Sequence, residues 1–130
     1  MDLMERRALL RASPNTDRTL DYIVTLTGHL PNTGGGRDIV LRYVPDRSVL
    51  IAKAFGDYLE ALSKATWDTP EDLAVTILSD VSNEVVSRWA QVNLSVPELQ
   101  HHAVASHSVL IEDRQPGWDN AALLGRLERI

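Results

Sequence analysis

Apolar and polar residues alternate from Thr19 to Thr27, with Leu20, Tyr22, Val24 and Leu26 on one side. That is the period of a β-strand. A second β-prone run covers Ile39 to Val44, with Ile39, Leu41 and Tyr43 facing one way and Val40, Arg42 and Val44 the other. Gly34, Gly35 and Gly36 lie between the two runs, which therefore predict an antiparallel hairpin with a long tip. After Pro45-Asp46-Arg47-Ser48 the period changes: Ile51, Phe55, Leu59 and Leu62 recur at helical spacing, with Asp46 or Ser48 as the expected cap. Asp68-Thr69-Pro70 opens a second helix, a capping residue followed by proline in the first turn. Its apolar stripe is Leu73, Ile77, Leu78, Val81 and Val85. Alternation returns from Trp89 to Val96 and from Ala103 to Ile111, and past Gly117 a short amphipathic helix is expected over Ala121 to Ile130.

The order strand, strand, helix, helix, strand, strand predicts an α+β fold, an antiparallel four-stranded sheet (ββααββ) with a helix pair on one face. Such a sheet has two open edges, and joining them between copies satisfies both, so a homo-oligomer is expected. Residues 1–18 carry little periodicity and end in the turn-rich run Ser13-Pro14-Asn15-Thr16-Asp17. They are expected as a partly ordered arm, with 19–130 as the single domain.

Composition narrows the function classes. A formal charge of -5 over 130 residues leaves no basic stripe for a nucleic-acid backbone. The absence of cysteine excludes disulfides, thiolate chemistry and cysteine-bound zinc. Met1 to Arg11 mixes Glu5, Arg6, Arg7 and Arg11 with a few leucines and does not read as a secretory leader. No apolar run approaches the roughly 20 residues that span a bilayer. A soluble, cytoplasmic protein is expected, with no membrane and no nucleic-acid partner.

Two segments carry a family likeness. Leu30-Pro31-Asn32-Thr33-Gly34, followed by a short strand and then Tyr43-Val44-Pro45-Asp46, resembles the 7-cyano-7-deazaguanine reductases (the QueF family) of the tunnelling-fold, or T-fold, superfamily. The likeness runs from about Asp17 to Val96 and includes Lys53 to Leu59 and Glu71-Asp72. It implies a sheet-and-helix-pair unit that assembles side by side into an oligomeric barrel. In that family a cysteine before Pro-x-Thr-Gly attacks the substrate nitrile; here Leu30 stands in its place. The family's cofactor segment, Glu-Ser-Lys-Ser-x-Lys-x-Tyr, reads Ile51-Ala52-Lys53-Ala54-Phe55-Gly56-Asp57-Tyr58, keeping only Lys53 and Tyr58. The family's His-Glu pair reads Pro70-Glu71. No NADPH or other cofactor site is expected, and nitrile reduction is excluded as an expectation.

The resemblance implies that Glu71 anchors the guanidine-like edge of a purine or pterin, since one carboxylate accepts two parallel N–H bonds. The residues alone read equally as a capping box with Asp68 or a charge complementing the helix dipole. His29, beside the Leu30 position, suits general acid–base work near neutral pH, or is an exposed loop histidine. Asp38 stands near the family's proton-donating aspartate, or forms a solvated pair with Arg37. Trp67, just ahead of the Glu71 helix, suits stacking on a planar ligand, or is a core aromatic like Trp89 and Trp118. Leu30 is expected at the pocket wall.

His101, His102 and His107 do not suit zinc. On a strand, His101 and His107 would be roughly 20 Å apart, whereas zinc ligands converge to about 2.1 Å from the metal. The glycine run lacks the trailing Gly-Lys-Ser/Thr of a phosphate loop. The expected function is thus a divergent QueF-like enzyme binding a purine, deazapurine or pterin-like heterocycle at a subunit interface without thiol or NADPH chemistry. The alternatives are an inactive T-fold binding or structural protein, or a partner subunit of an active homologue.

Overall fold

The structure, a computed structural model, describes residues 1–31, 36–97 and 101–127. In chain order the elements are α1 (Leu3–Ala8), β1 (Ala12–Pro14), β2 (Val24–His29), β3 (Asp38–Val44), β4 (Ser48–Leu50), α2 (Ala52–Ser63), α3 (Pro70–Val85), β5 (Trp89–Pro97), β6 (Ser106–Arg114) and α4 (Ala121–Leu124). The main sheet has the order β2-β3-β5-β6 with every neighbour antiparallel, and β1 pairs with β4 in a separate two-stranded sheet. The four strands and two long helices keep the order expected from the alternation, and the fold is α+β.

Alternation along the central strands decides which face is covered. Ile39, Leu41 and Tyr43 of β3 and Ala90, Val92 and Leu94 of β5 are all buried and share the core with Phe55, Tyr58, Leu59 and Leu62 of α2 and Leu73, Ile77 and Val81 of α3. Each of the Val, Leu, Ile and Phe side chains among them contributes about 1.5–3 kcal/mol when fully buried. On β2, Gly28 lets α2 approach closely, because a Cβ there would stand 2.7 Å from Leu59 Cδ1. Intervening residues face away from the helices: Thr25, Thr27 and His29 on β2 are exposed, and the pairing sets His29 opposite Asp38. Among the described residues β2 and β6 each pair on one side only, so both edges of the sheet are open.

Several boundaries differ from the sequence reading, each for a tertiary reason. The first core strand begins at Val24 rather than Thr19. Arg88 holds the preceding stretch off the sheet: it donates to the carbonyls of Arg18 (2.8 Å) and Leu20 (3.3 Å) and to the Asp21 carboxylate (2.7 Å). Helix α2 is capped by neither Asp46 nor Ser48. Ser48 belongs to β4, and Asp46 accepts from Arg88 (3.3 Å) and Gln115 (3.2 Å), leaving Ile51 at the cap without a side-chain bond. Residues 1–18, expected as a partly ordered arm, hold a helix and a strand. Arg6 and Arg7 of α1 reach Asp80 on α3, while β1 zips onto β4 through Ala12↔Leu50, Ser13↔Val49 and Pro14↔Ser48. Strand β6 runs from Ser106 to Arg114, not Ala103 to Ile111, because His101 to Ala105 form a turn closed by Val104 N donating to the His101 carbonyl. Of the expected carboxyl-terminal helix, Ala121–Leu124 is helical, and 128–130 lie outside the described residues, as do Asn32 to Gly35 of the hairpin tip.

Candidate functional site

The start of α3 is built from local chemistry. Thr69 is the N-cap, its hydroxyl accepting from Asp72 N at 3.1 Å, and Pro70 fills the first turn, where a missing N–H costs nothing. Glu71 and Asp72 therefore sit in the first turn beside the positive end of the helix dipole. The cap is Thr69 and not Asp68, so Glu71 is not tied up in a capping box with Asp68.

Glu71 has its side chain half exposed, and its Oε1 meets His107 Nε2 on β6. A glutamate from the helix layer and a histidine from an edge strand thus form one dyad. Next to it, Trp67 is half-buried with its ring fixed by Nε1 donating to the Leu62 carbonyl at 3.0 Å. Trp67, Asp68, Glu71, Asp72 and Val75 line an open groove of about 410 Å³. Three carboxylates among the lining residues favour a ligand edge rich in N–H donors, and the indole adds a flat apolar surface.

The other sequence candidates lie elsewhere. His29 and Asp38 are cross-strand partners at the open end of β2 and β3, both exposed, on the face opposite the helices. His107 pairs with Val96, two residues from Leu94 and so on the same covered side, and the Glu71–His107 dyad and the His29–Asp38 pair therefore occupy opposite faces of the sheet. Within one chain the structure brings Trp67 and Glu71 together and leaves His29 and Asp38 apart from them. Leu30 is 2% exposed and part of the core, so it presents no surface to the groove.

The residues on which the resemblance rests have structural work in this chain. Tyr58 is fully buried and donates to Asp80 at 2.5 Å, and Lys53 pairs with Asp57 at 3.2 Å on the surface. Tyr43 accepts from Leu50 N at 2.8 Å, and Asp46 clamps Arg88 and Gln115. His101 and His102 stack on each other, and His101 Nδ1 accepts from Ala103 N at 3.0 Å. Among the described residues no group of three or more His, Asp or Glu side chains gathers in a way that would hold a metal ion.

Sequence reasoning missed His107 as a partner of Glu71, because the pair is 36 positions apart and only the β5–β6 register aims it. It also missed Asp80. That carboxylate has no solvent exposure and accepts from Arg6 Nε (2.6 Å), Arg6 Nη2 (3.1 Å), Arg7 Nε (2.8 Å) and the Tyr58 hydroxyl. Burial opposes its charge, but the bonds from Arg6, Arg7 and Tyr58 outweigh burial and hold its pKa below the usual carboxylate value. Burial, then the hydrogen bond to Asp80, pushes the Tyr58 hydroxyl far up, so it stays protonated as a donor. An isolated Asp in an apolar helix stripe is the available signal, with two adjacent arginines in the amino-terminal segment as its complement.

No protein-family model matches this chain, and no curated protein matches it either.

Proposed function

We propose that this chain is a tunnelling-fold protein that binds a purine, deazapurine or pterin-like heterocycle, without thiol or NADPH chemistry. Glu71 anchors the N–H-rich edge of the ring, and Trp67 offers it a stacking surface. The observation that carries the reading is the Glu71–His107 dyad beside Trp67 at an acidic groove. The ββααββ sheet with consecutive strand order and two open edges supports the superfamily assignment. Because Glu71 touches His107 of the edge strand β6, a second copy added along β6 would come up beside the dyad, which makes the site an interface site in a homo-oligomer.

If the protein turns its ligand over, the group positioned for proton transfer to a ring held by Glu71 is His107, which is in contact with it. His29 and Asp38 serve only a ligand on the opposite face. Their separation from Glu71 favours, as the second reading, a binding protein without catalysis by His29 or Asp38.

Equilibrium binding of guanine and neopterin, measured by calorimetry alongside native mass, tests the proposal. The expected result is an oligomer that binds at least one of the two. Glu71→Gln should weaken that affinity at least a hundredfold, because an amide cannot accept two parallel N–H bonds. A monomer that binds neither compound, or binding indifferent to Glu71→Gln, would overturn it.

A further inference from the structure

We propose that the cleft between α1 and the carboxyl end of α2 is a second binding site, one that takes a small organic anion with a flat apolar body. The cleft lies across Trp67 from the acidic groove and shares only that residue with it. Met1, Ala61, Leu62, Ala65 and Trp67 form its walls, and Arg6 and Lys64 bring the charge. Its volume is about 290 Å³, near the roughly 300 Å³ lower bound for small-molecule sites. It is more enclosed than the acidic groove.

Charge decides the ligand class. Arg6 and Arg7 converge on a single carboxylate, Asp80, and the third partner, Tyr58, is a neutral hydroxyl. The cluster therefore keeps a net positive charge of one, shared between Arg6, which lines the cleft and puts Nε and Nη2 on Asp80, and Arg7. Lys64 forms no ion pair among the described residues and adds a second. This is a local surplus in a chain whose formal charge is -5. The carboxyl end of α2 opposes it with a partial charge of about half a unit. That end is already answered: the Leu62 carbonyl accepts from Trp67 Nε1 and Ala65 N, and the Ala61 carbonyl from Lys64 N. Lys64 and the net charge of the Asp80 cluster together outweigh it. The apolar walls and the fixed indole then select an anion with a planar body over an inorganic one, because stacking and burial add to the charge attraction.

The site does not depend on the heterocycle reading, and the test separates the two. The full chain is titrated with 2-naphthoate, followed by amide shifts of Lys64 and Ala65, with 2-naphthylmethanol as the neutral isostere. Saturable naphthoate binding is expected, at least tenfold tighter than the alcohol. Lys64→Glu should weaken it at least tenfold, Ala65→Trp should abolish it by filling the cleft, and Glu71→Gln should leave it unchanged. All three positions are solvent-exposed and outside the Asp80 cluster, and circular dichroism checks that each variant folds. The proposal is overturned by naphthoate failing to saturate at millimolar concentration, by equal affinity for the alcohol, by indifference to Lys64→Glu, or by sensitivity to Glu71→Gln.

Discussion

At position 80 of α3 a carboxylate with no solvent exposure accepts from two arginines of α1 and a tyrosine of α2. Removing it leaves two guanidinium groups facing a buried hydroxyl. Breaking a buried pair costs about 3–5 kcal/mol, and the low end applies here because Arg6 and Arg7 are 21% and 20% exposed and can rehydrate. Asp80→Ala should therefore cost about 3 kcal/mol in urea unfolding at pH 7. The pH dependence follows from the depressed folded pKa. The carboxylate adds stability that is full above its unfolded value, about 3.9, and is lost as the pH falls toward the lower folded value. The gap between wild type and Asp80→Asn should be constant from pH 7 to 5 and should narrow below about pH 4. A gap that widens in acid would mean the carboxylate is not the stabilising form.

Helix α3 shows how much of an element its own residues specify. Its start is local: Thr69 caps, Pro70 enters the first turn, and both are legible in Asp68-Thr69-Pro70. Its apolar stripe is legible too, and Leu73, Ile77, Val81 and Val85 are buried as the spacing implies. Its end is not, because no glycine marks it. Val86 takes the left-handed conformation at φ 52°, ψ 51°, held by Gln115 Nε2 donating to its carbonyl at 3.2 Å and by Arg88 N donating to Val44 O at 2.8 Å. A β-branched residue there carries about 1–3 kcal/mol of strain, against about 0.5–1 kcal/mol of extra unfolded-state entropy for glycine. Strain is the larger quantity, and Val86 is more than half exposed, so little packing is lost. Val86→Gly should raise the unfolding free energy by about 1 kcal/mol, read as a higher urea midpoint with unchanged slope. The same contrast explains the arm at residues 1–18. Alternation and capping are short-range signals, whereas α1 is fixed by partners more than 70 positions away and β1 by a strand of three residues. The groove was half legible for the same reason: Glu71 and Trp67 are near neighbours in sequence, and His107 reaches them only through the sheet register.

At the scale of the whole molecule the open question is what lies beyond β2 and β6, and the backbone of β6 can answer it. In an antiparallel pair, alternate residues direct their N–H groups toward the partner strand and the others away from it. Paired with β5 alone, β6 protects only every second amide between Ser106 and Arg114, and the outward ones exchange with solvent as a loop does. A copy joined through its own β2 closes the second ladder. The orientation permits this: β2 and β6 run in opposite directions, so copies related by rotation about an axis along the strands meet antiparallel. All of β2 also lies level with β6, since the cross-strand rows run from His29, Asp38, Ser95 and Ser108 to Val24, Tyr43, Ala90 and Asp113. Hydrogen exchange resolved to single amides should then find consecutive protection along β6 and β2 at high protein concentration. The outward half of those amides should lose protection on dilution while the inward half keeps it. Alternating protection at every concentration would leave both edges solvated and the Glu71–His107 dyad without a neighbouring copy. The heterocycle would then have to be bound by one chain alone, and the interface part of the proposed function would fall while the Glu71 anchor could still stand.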